Sequence, residues 1–549
     1  VLPEEWMQRW GLLAELAGPA AESLRVSSRQ IGLLQALLVA LPEQDAGARG
    51  LRTLRRKLAE FHAVKPARAA RGFRGALRPY QEQGLGWLAT LGELGFGACL
   101  ADDMGLGKTI QVLAYLHSQR QTRGRGHKAS LVVVPRSLLS NWLDEAARFA
   151  PQLSVRQHWG AERQRTKESF SDADIVLTTY GTLRSDIALF GDVDFACVVL
   201  DEAQAIKNKQ SSTTKCAKLL RADRRIAMSG TPIENHLGEL WSLFEFLNPG
   251  LLKELPALRR ALESTKPSDE VLGLVRTLVR PFVLRRTKRE VAKDLPDRVE
   301  QTLYVELEQE ERQLYDELLQ HYQASIARKV SQVGVERATP HLLEALLRLR
   351  QAACHPGLID HARGRESSAK VECLMERLRA LRAEGHRALV FSQFTSLLSI
   401  VRERLTEEKI SFEYLDGKTR DRAGAVERFQ SDPSIGAFLI SLKAGGVGLN
   451  LTAADYVFIL DPWWNPAAEA QAIDRAHRIG QTRNVIAYRL LAKRTVEERV
   501  AHLQAQKRDL VAGIMGDDQA LATRLTRGDL EALLSLTTVA TPTASAPTG

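Results

Sequence analysis

The sequence predicts an α/β protein of two lobes, each built on a parallel sheet, with helical insertions between them and a helical segment at the N-terminus. Three observations carry this. From Leu77 onward, short apolar and β-branched runs alternate with longer stretches of helical periodicity, the pattern of strand–helix–strand units. The strand candidates fall into two sets separated by a charged, helix-patterned stretch from Leu247 to Lys370. The length of 549 residues exceeds one domain, at about 100–200 residues each.

Taken in order, the first 70 residues read as helical (GLLQALLVAL, LRTLRRKLAEF) and close in the basic KPARAARGFRG. They form either an accessory module or a basic linker. ACLAD, LVVVP, DIVLTT, ACVVLDE and RIAMSG are the strands of the first sheet. RALVFSQF, SFEYLDG, AFLISL, DYVFILD and VIAYRL are those of the second. The final TTVATPTASAPTG is rich in Thr, Ala and Pro and is expected to be disordered.

The 76 Lys and Arg against 66 Asp and Glu leave a net charge of +10, which suits a polyanionic partner without requiring one. No apolar run approaches the roughly 18 residues needed to cross a bilayer, and the opening VLPEEWMQRW is acidic where a secretory signal is basic. A cytoplasmic, nucleoid-associated protein is expected in a prokaryote, a nuclear one in a eukaryote. The five cysteines lie far apart with no Cys-x-x-Cys pair, against structural zinc and against a disulfide framework. The Cys354–His355 dipeptide reads as a packing or capping feature. Since the chain begins at Val1, a fragment or processed product is expected.

The strongest chemical signal is ACLADDMGLGKTIQVLAYL, an apolar strand running through a glycine-rich turn into a helix. Backbone N–H groups of such a turn point at phosphate oxygens, Lys108 reaches the terminal phosphates, and the Thr109 hydroxyl holds magnesium. The generic phosphate loop has glycine where this chain has Asp102. In FACVVLDEAQAIKN a buried strand delivers Asp201 and Glu202 to its C-terminal end, the edge where open α/β sheets bind ligands. Asp201 would coordinate magnesium and Glu202 would orient and deprotonate the attacking water.

DDMGLGKT, LVVVPRSLLSNW, DEAQ, MSGTPIEN, KAGGVGLNLTAADYVFILDPWWNP and QAIDRAHRIGQT occur in this order. Together they resemble the motifs of the SWI/SNF-type branch of helicase superfamily two, the DNA-translocating ATPases, over about Leu77 to Lys507. That resemblance implies two RecA-like lobes. Residues 77–300 would form the ATP-binding lobe with a first helical protrusion, 301–365 a second protrusion and connector, 366–510 the second lobe, and 511–549 a C-terminal helix and tail. It makes an acidic residue at 102 ordinary, and notes Gln204 where histidine is more usual.

The same resemblance assigns roles. ATP and magnesium are the implied cofactors, with Gln81 reading adenine and Asp103, Met104, Gly105, Leu106, Gly107, Lys108 and Thr109 forming the phosphate loop. Ser229, Thr231 and Gln204 would couple the nucleotide to the lobe interface. Arg475 and Arg478, spaced i,i+3 and expected to share a helix face, would stabilise the transferred phosphoryl group, with Gln471 beside them. Contacts to double-stranded DNA fall on loops expected away from the nucleotide: Arg136, Ser137, Asn141, Trp142, Thr178 and Thr179 in the first lobe, and Gln393, Lys443, Gly445, Gly446, Asn450 and Trp464 in the second. Arg285, Arg286, Lys288 and Arg289 either touch DNA, brace a lobe or form a solvated face. The implied function is ATP-driven movement along duplex DNA that remodels DNA-bound protein complexes without separating strands; the alternative is a strand-separating DNA or RNA helicase.

Overall fold

The computed structural model describes residues 65–123, 128–230, 237–249, 279–442, 449–463 and 466–506. Most of the expected N-terminal helical segment, much of the first protrusion and the C-terminal helix and tail lie outside these residues. The chain divides into two compact units, Val1–Leu295 and Pro296–Gly549.

In the first unit, strands β1 (Ala98–Leu100), β2 (Ser130–Val134), β3 (Val155–His158), β4 (Ile175–Thr179), β5 (Asp194–Leu200), β6 (Arg221–Met228) and β7 (Val283–Leu284) form one sheet in the order β3-β4-β2-β5-β6-β1-β7. Every neighbouring pair is parallel, so all seven C-terminal ends emerge at one edge. β2 and β4 are buried along their whole length, which is why they read as unbroken apolar runs rather than alternating ones. Leu131, Val133, Val176 and Val198 lie in one core cluster with Phe190 and Phe195. Each such side chain stabilises the lobe by about 1.5–3 kcal/mol.

Four helices carry or adjoin the site residues of this unit: α1 (Pro79–Glu93), α2 (Lys108–Arg123), α3 (Leu139–Phe149) and α4 (Tyr180–Ser185). α1 opens with proline at its first position, where a missing N–H costs nothing. α4 is capped by Thr179, whose hydroxyl accepts the Thr182 N–H.

The second unit holds β8 (Arg298–Val305), β9 (Ala388–Ser392), β10 (Phe412–Leu415), β11 (Ala437–Ser441), β12 (Tyr456–Ile459) and β13 (Val485–Ala492), in the order β10-β11-β9-β12-β13-β8 and again parallel throughout. Among its helices are α5 (Gln309–Ala352), α6 (Thr395–Glu407), α7 (Pro466–Ile473) and α8 (Val496–Gln506), with others at Ala369–Ala383 and Arg422–Ser431. Among the described residues, the expected helical stretch from Leu247 to Lys370 contains the 44-residue α5, but also β7 and β8.

Three strands escape the sequence pattern. β3 (VRQH) is polar and sits at a sheet edge; β7 has two residues. β8 (RVEQTLYV) mixes polar and apolar residues and is mostly exposed, yet pairs with β13 from Arg298↔Val485 to Val305↔Ala492. The second unit therefore begins at Pro296, upstream of the residue 366 at which its lobe is expected to start.

Candidate nucleotide site and nucleic-acid surface

β1 ends at Leu100 and α2 begins at Lys108, so the seven residues between them form the turn that the glycine pattern predicts. Gly105 and Gly107 take φ of +88° and +74°, the left-handed region that glycine enters without steric cost. At Gly107 there is no room for more: a Cβ would lie 2.5 Å from Gln81 Nε2. The Lys108 ammonium folds back onto the loop, donating to the carbonyls of Asp102 (2.6 Å) and Asp103 (3.2 Å). Thr109 stands half-buried in the first turn of α2. Met104 and Leu106 are buried, and the Leu106 carbonyl accepts the Tyr80 hydroxyl (2.8 Å) and Gln81 Nε2 (3.1 Å). Gln81 Oε1 takes the Arg78 N–H (2.9 Å), so reading a base at Gln81 means exchanging these bonds.

Asp102 explains the departure from glycine. Its fully buried carboxylate is held by Arg286, whose Nε donates to Oδ1 at 2.9 Å and whose Nη2 donates to Oδ2 and, at 2.9 Å, to Gln111 Oε1. Arg286 also reaches the Tyr80 carbonyl and stacks on the Tyr80 ring at 5.1 Å. β7 and the residues after it extend this brace through the backbone, with Ala101 N–H on Leu284 O, Asp103 N–H on Arg286 O, and Lys288 N–H on Asp103 Oδ2. Of the basic cluster at 285–289, Arg286 and Lys288 are buried and brace the lobe, while Arg285 and Arg289 are exposed.

Asp201 follows β5 directly. Its Oδ2 accepts the Trp142 indole N–H (2.8 Å), its Oδ1 accepts the Glu202 N–H (2.9 Å), and its main-chain carbonyl accepts the Tyr180 hydroxyl (2.7 Å). Burial, with repulsion from Glu202, raises its carboxyl to about 7. Glu202 takes φ 49°, ψ 56°, a left-handed conformation that costs a non-glycine residue roughly 1–3 kcal/mol. Gln204 Nε2 donates to Glu202 Oε2 (2.6 Å), and Ser229 at the end of β6 donates to Gln204 Oε1 (3.4 Å). A glutamine thus spans the place of the more usual histidine using both ends of its amide. Thr231 lies outside the described residues.

The expected DNA-contacting residues of the first unit divide. Arg136 is exposed, with its guanidinium 6.0 Å from the Trp159 ring; Ser137 and Asn141 are partly exposed. Trp142 is not a surface residue: it is 2% exposed and faces inward to Asp201. The signal was available, because Leu138, Leu139, Trp142 and Ala146 are all buried and repeat at helical spacing. Thr178 is fully buried, its hydroxyl on the His158 carbonyl, and Thr179 serves as the cap of α4. The loops after β2 and β4 do not lie on a face away from the phosphate loop. In a wholly parallel sheet they leave from the same edge, on the other side of β5.

In the second unit, Gln393 is half-buried with its Nε2 enclosed, and Asn450 is exposed with its carbonyl accepting Gln430 Nε2. Lys443, Gly445, Gly446 and Trp464 lie outside the described residues. Gln471 sits in the last turn of α7. Arg475 and Arg478 do not share a helix face, because α7 stops at Ile473 and the chain continues in tight turns. Arg475 is buried against the Phe391 ring at 5.8 Å, and its carbonyl accepts the Leu451 N–H; Arg478 is half-buried with Nη1 on the Leu449 carbonyl. Gln481 pins these turns by donating to the carbonyls of Thr452, Ala454 and Ala476 while accepting the N–H groups of Thr482 and Arg483. This is a structural reason for glutamine in HRIGQT.

Three groups that the motifs did not single out support the DPWW loop. Asp461 is fully buried and accepts the Ser392 hydroxyl and the Gln393 N–H. Arg350, near the end of α5, donates to the Pro462 carbonyl. Lys370 donates to Glu497 and to the Leu460 carbonyl (2.9 Å), a buried ion pair. His355 caps a turn through Nδ1, which accepts the Gly357 N–H, as its dipeptide suggested.

A family model for the SNF2-related domain matches residues 80–358, just over half of the 549 residues. The chain belongs to the SNF2-related family. A second model, the helicase conserved C-terminal domain, matches residues 369–480, so the first match spans the first unit and runs into the second, and the second match lies within the second unit. The chain is similar to the putative ATP-dependent helicase/translocase YwqA of Bacillus subtilis, 39% identical over 506 residues, covering 89% of this chain and 54% of that protein. The TATA-binding protein-associated factor MOT1 of Saccharomyces cerevisiae is 32% identical over 552 residues, covering 87% of this chain and 30% of that one. The chain thus spans about half the length of one relative and under a third of the other. A solved structure of the Sulfolobus solfataricus SWI2/SNF2 ATPase core in complex with double-stranded DNA is 35% identical, covers 86% of this chain and 99% of that one, and has a TM-score of 0.42.

Proposed function

We propose that this chain is a DNA-stimulated ATPase that moves along double-stranded DNA, displacing or remodelling bound protein complexes without separating the strands. The observation that carries the ATPase reading is the convergence, at one edge of the first sheet, of Lys108, the Asp201–Glu202 pair and the Gln204–Ser229 bridge. The residues fit the cofactors. The positive-φ turn leads into the N-terminus of a 16-residue helix, a ready cradle for phosphate, and the Thr109 hydroxyl with the Asp201 carboxylate is the hard-oxygen donor set that magnesium takes.

In this reading Lys108 exchanges the carbonyls of Asp102 and Asp103 for the terminal phosphates. Gln81, with the loop residues Asp103 to Gly107, fixes the nucleotide. Thr109 and Asp201 would hold magnesium, whose chemistry there would be to neutralise phosphate charge. Glu202 orients the attacking water and accepts its proton, and Gln204 and Ser229 relay the state of that site. Arg475 and Arg478 meet the charge that develops on the phosphoryl group, an effect worth about 10³–10⁵ in rate for arginine fingers. Lys108→Ala loses nucleotide binding or turnover, whereas Glu202→Gln binds ATP and stalls.

The duplex preference rests on the HRIGQ segment and the large helical insertions, as the family resemblance implies. The deciding experiment compares ATPase stimulation by duplex DNA, single strands and RNA, then displacement of a third strand from a triplex. Stimulation by duplex with triplex displacement supports the proposal. Efficient unwinding of the duplex selects the strand-separating helicase instead.

A further inference from the structure

We propose that Trp142 and Tyr180 are positioning residues that carry DNA engagement to Asp201; this rests on the reading of Asp201 as a magnesium ligand and of the adjoining loops as DNA contacts. Trp142 belongs to a segment that begins with the exposed Arg136 and the partly exposed Ser137, and Tyr180 to the segment that leaves β4 at the same sheet edge. The turn Arg136–Leu138 runs without interruption into α3, which carries Trp142. Tyr180 directly follows Thr178 and Thr179 and opens α4. From these two separate loops the side chains converge on one residue, the indole N–H on the Asp201 carboxylate at 2.8 Å and the phenol on its main-chain carbonyl at 2.7 Å.

Trp142 is too buried to be touched by DNA, and the group its indole N–H holds is the Asp201 carboxylate. Asp201 Oδ1 is tied to its own neighbour's N–H, which leaves Oδ2 and the backbone as the points at which α3 and α4 set the carboxylate's direction. A helix moves as a rigid rod. A phosphate that draws Arg136 and Ser137 by about 0.5 Å takes a bond of this length beyond the usual 2.7–3.2 Å range, so a small displacement at the surface is enough. A purely space-filling tryptophan would not need its N–H, and Tyr180 would not need its hydroxyl.

The test uses the full chain with single-atom changes: benzothienylalanine at position 142, where sulfur replaces the indole N–H, Trp142→Phe, and Tyr180→Phe. Affinity for a fluorescent duplex is measured with and without magnesium and a non-hydrolysable ATP analogue, and affinity for the analogue with and without duplex. In the parent chain each ligand changes the other's affinity by the same factor, about 5- to 150-fold for typical coupling. The variants bind duplex alone as the parent does, within about twofold, while the coupling factor collapses towards unity. Coupling retained in the benzothienylalanine and Tyr180→Phe chains overturns the inference, as does a lowered melting temperature with coupling intact. If Trp142→Phe fails to fold, the other two chains read the same quantity. A parent that binds both ligands without coupling also overturns this inference alone. A parent that binds no duplex sinks the DNA reading beneath it.

Discussion

Asp201 combines two demands that oppose each other. Burial and the neighbouring Glu202 hold its carboxyl near 7, well above 3.8, so without metal the folded chain keeps the protonated form at pH values where the unfolded chain has lost it, up to about 7. That contribution to stability is complete below the ordinary carboxylate value and is lost as pH rises through about 7. Magnesium needs the opposite form. Magnesium affinity, read from the metal dependence of fluorescent nucleotide binding, therefore falls about tenfold per unit as pH drops below 7 and levels off above it. A profile flat between pH 5.5 and 8 would count against Asp201 as the ligand.

Arg286 and Asp102 form the other decisive contact at this scale, and separation in sequence hid it. Lys108 and Glu202 could be read locally, since a glycine turn before a helix and an acidic pair after a strand occupy a few consecutive residues. No local pattern links Asp102 to a partner 184 residues away, so Arg286 was one basic residue among four. Replacing it with methionine strands a buried carboxylate, and urea denaturation should show the first unit weakened by about 3–5 kcal/mol. Adding Asp102→Ala should recover part of that loss, because the stranded charge is removed.

Elements were legible where burial was complete on both faces. β2, β4, β5, β9, β11 and β12 are apolar almost throughout, whereas β8 turns four successive exposed residues, Val299 to Thr302, to solvent and reads as loop. β8 is recognisable only through its partner, because eight consecutive residue pairs bind it to β13. A chain cut to start at Gln309 lacks that cover and leaves the β13 edge open to other chains. It should aggregate on size-exclusion chromatography, while a chain starting at Pro296 elutes as a single species. Equal behaviour of the two would show that β8 is dispensable. At the same scale, α3 shows why motif position alone misplaces a side chain: Asn141 and Trp142 are adjacent in sequence, yet one is partly exposed and the other faces the core.

For the whole molecule, the two parallel sheets and the ordered motifs were readable because they are the most repetitive features of the chain. The proposed tracking of duplex DNA through its phosphates predicts that log affinity for duplex falls linearly with log salt, with a slope of roughly −0.9 per phosphate neutralised. A flat response would exclude a motor that tracks the phosphate backbone. Arg475→Ala and Arg478→Ala should each leave nucleotide affinity close to the parent value and remove DNA-stimulated turnover, by about 10³-fold or more. The pair is read through stopped-flow binding beside steady-state hydrolysis.

The pairing of the phosphate loop with β7 also sets an order of events during synthesis. A nascent chain that has completed the loop and its helix still lacks Arg286, which arrives 184 residues after Asp102. At roughly 5–20 residues per second, that interval is about 10–40 s on the ribosome. Until the later segment emerges, Asp102 has no counter-charge and the loop's backbone has no β7 to bond. Competence for ATP should therefore appear late, in stalled nascent chains long enough to expose Leu284 to Lys288 and in none that stop before them.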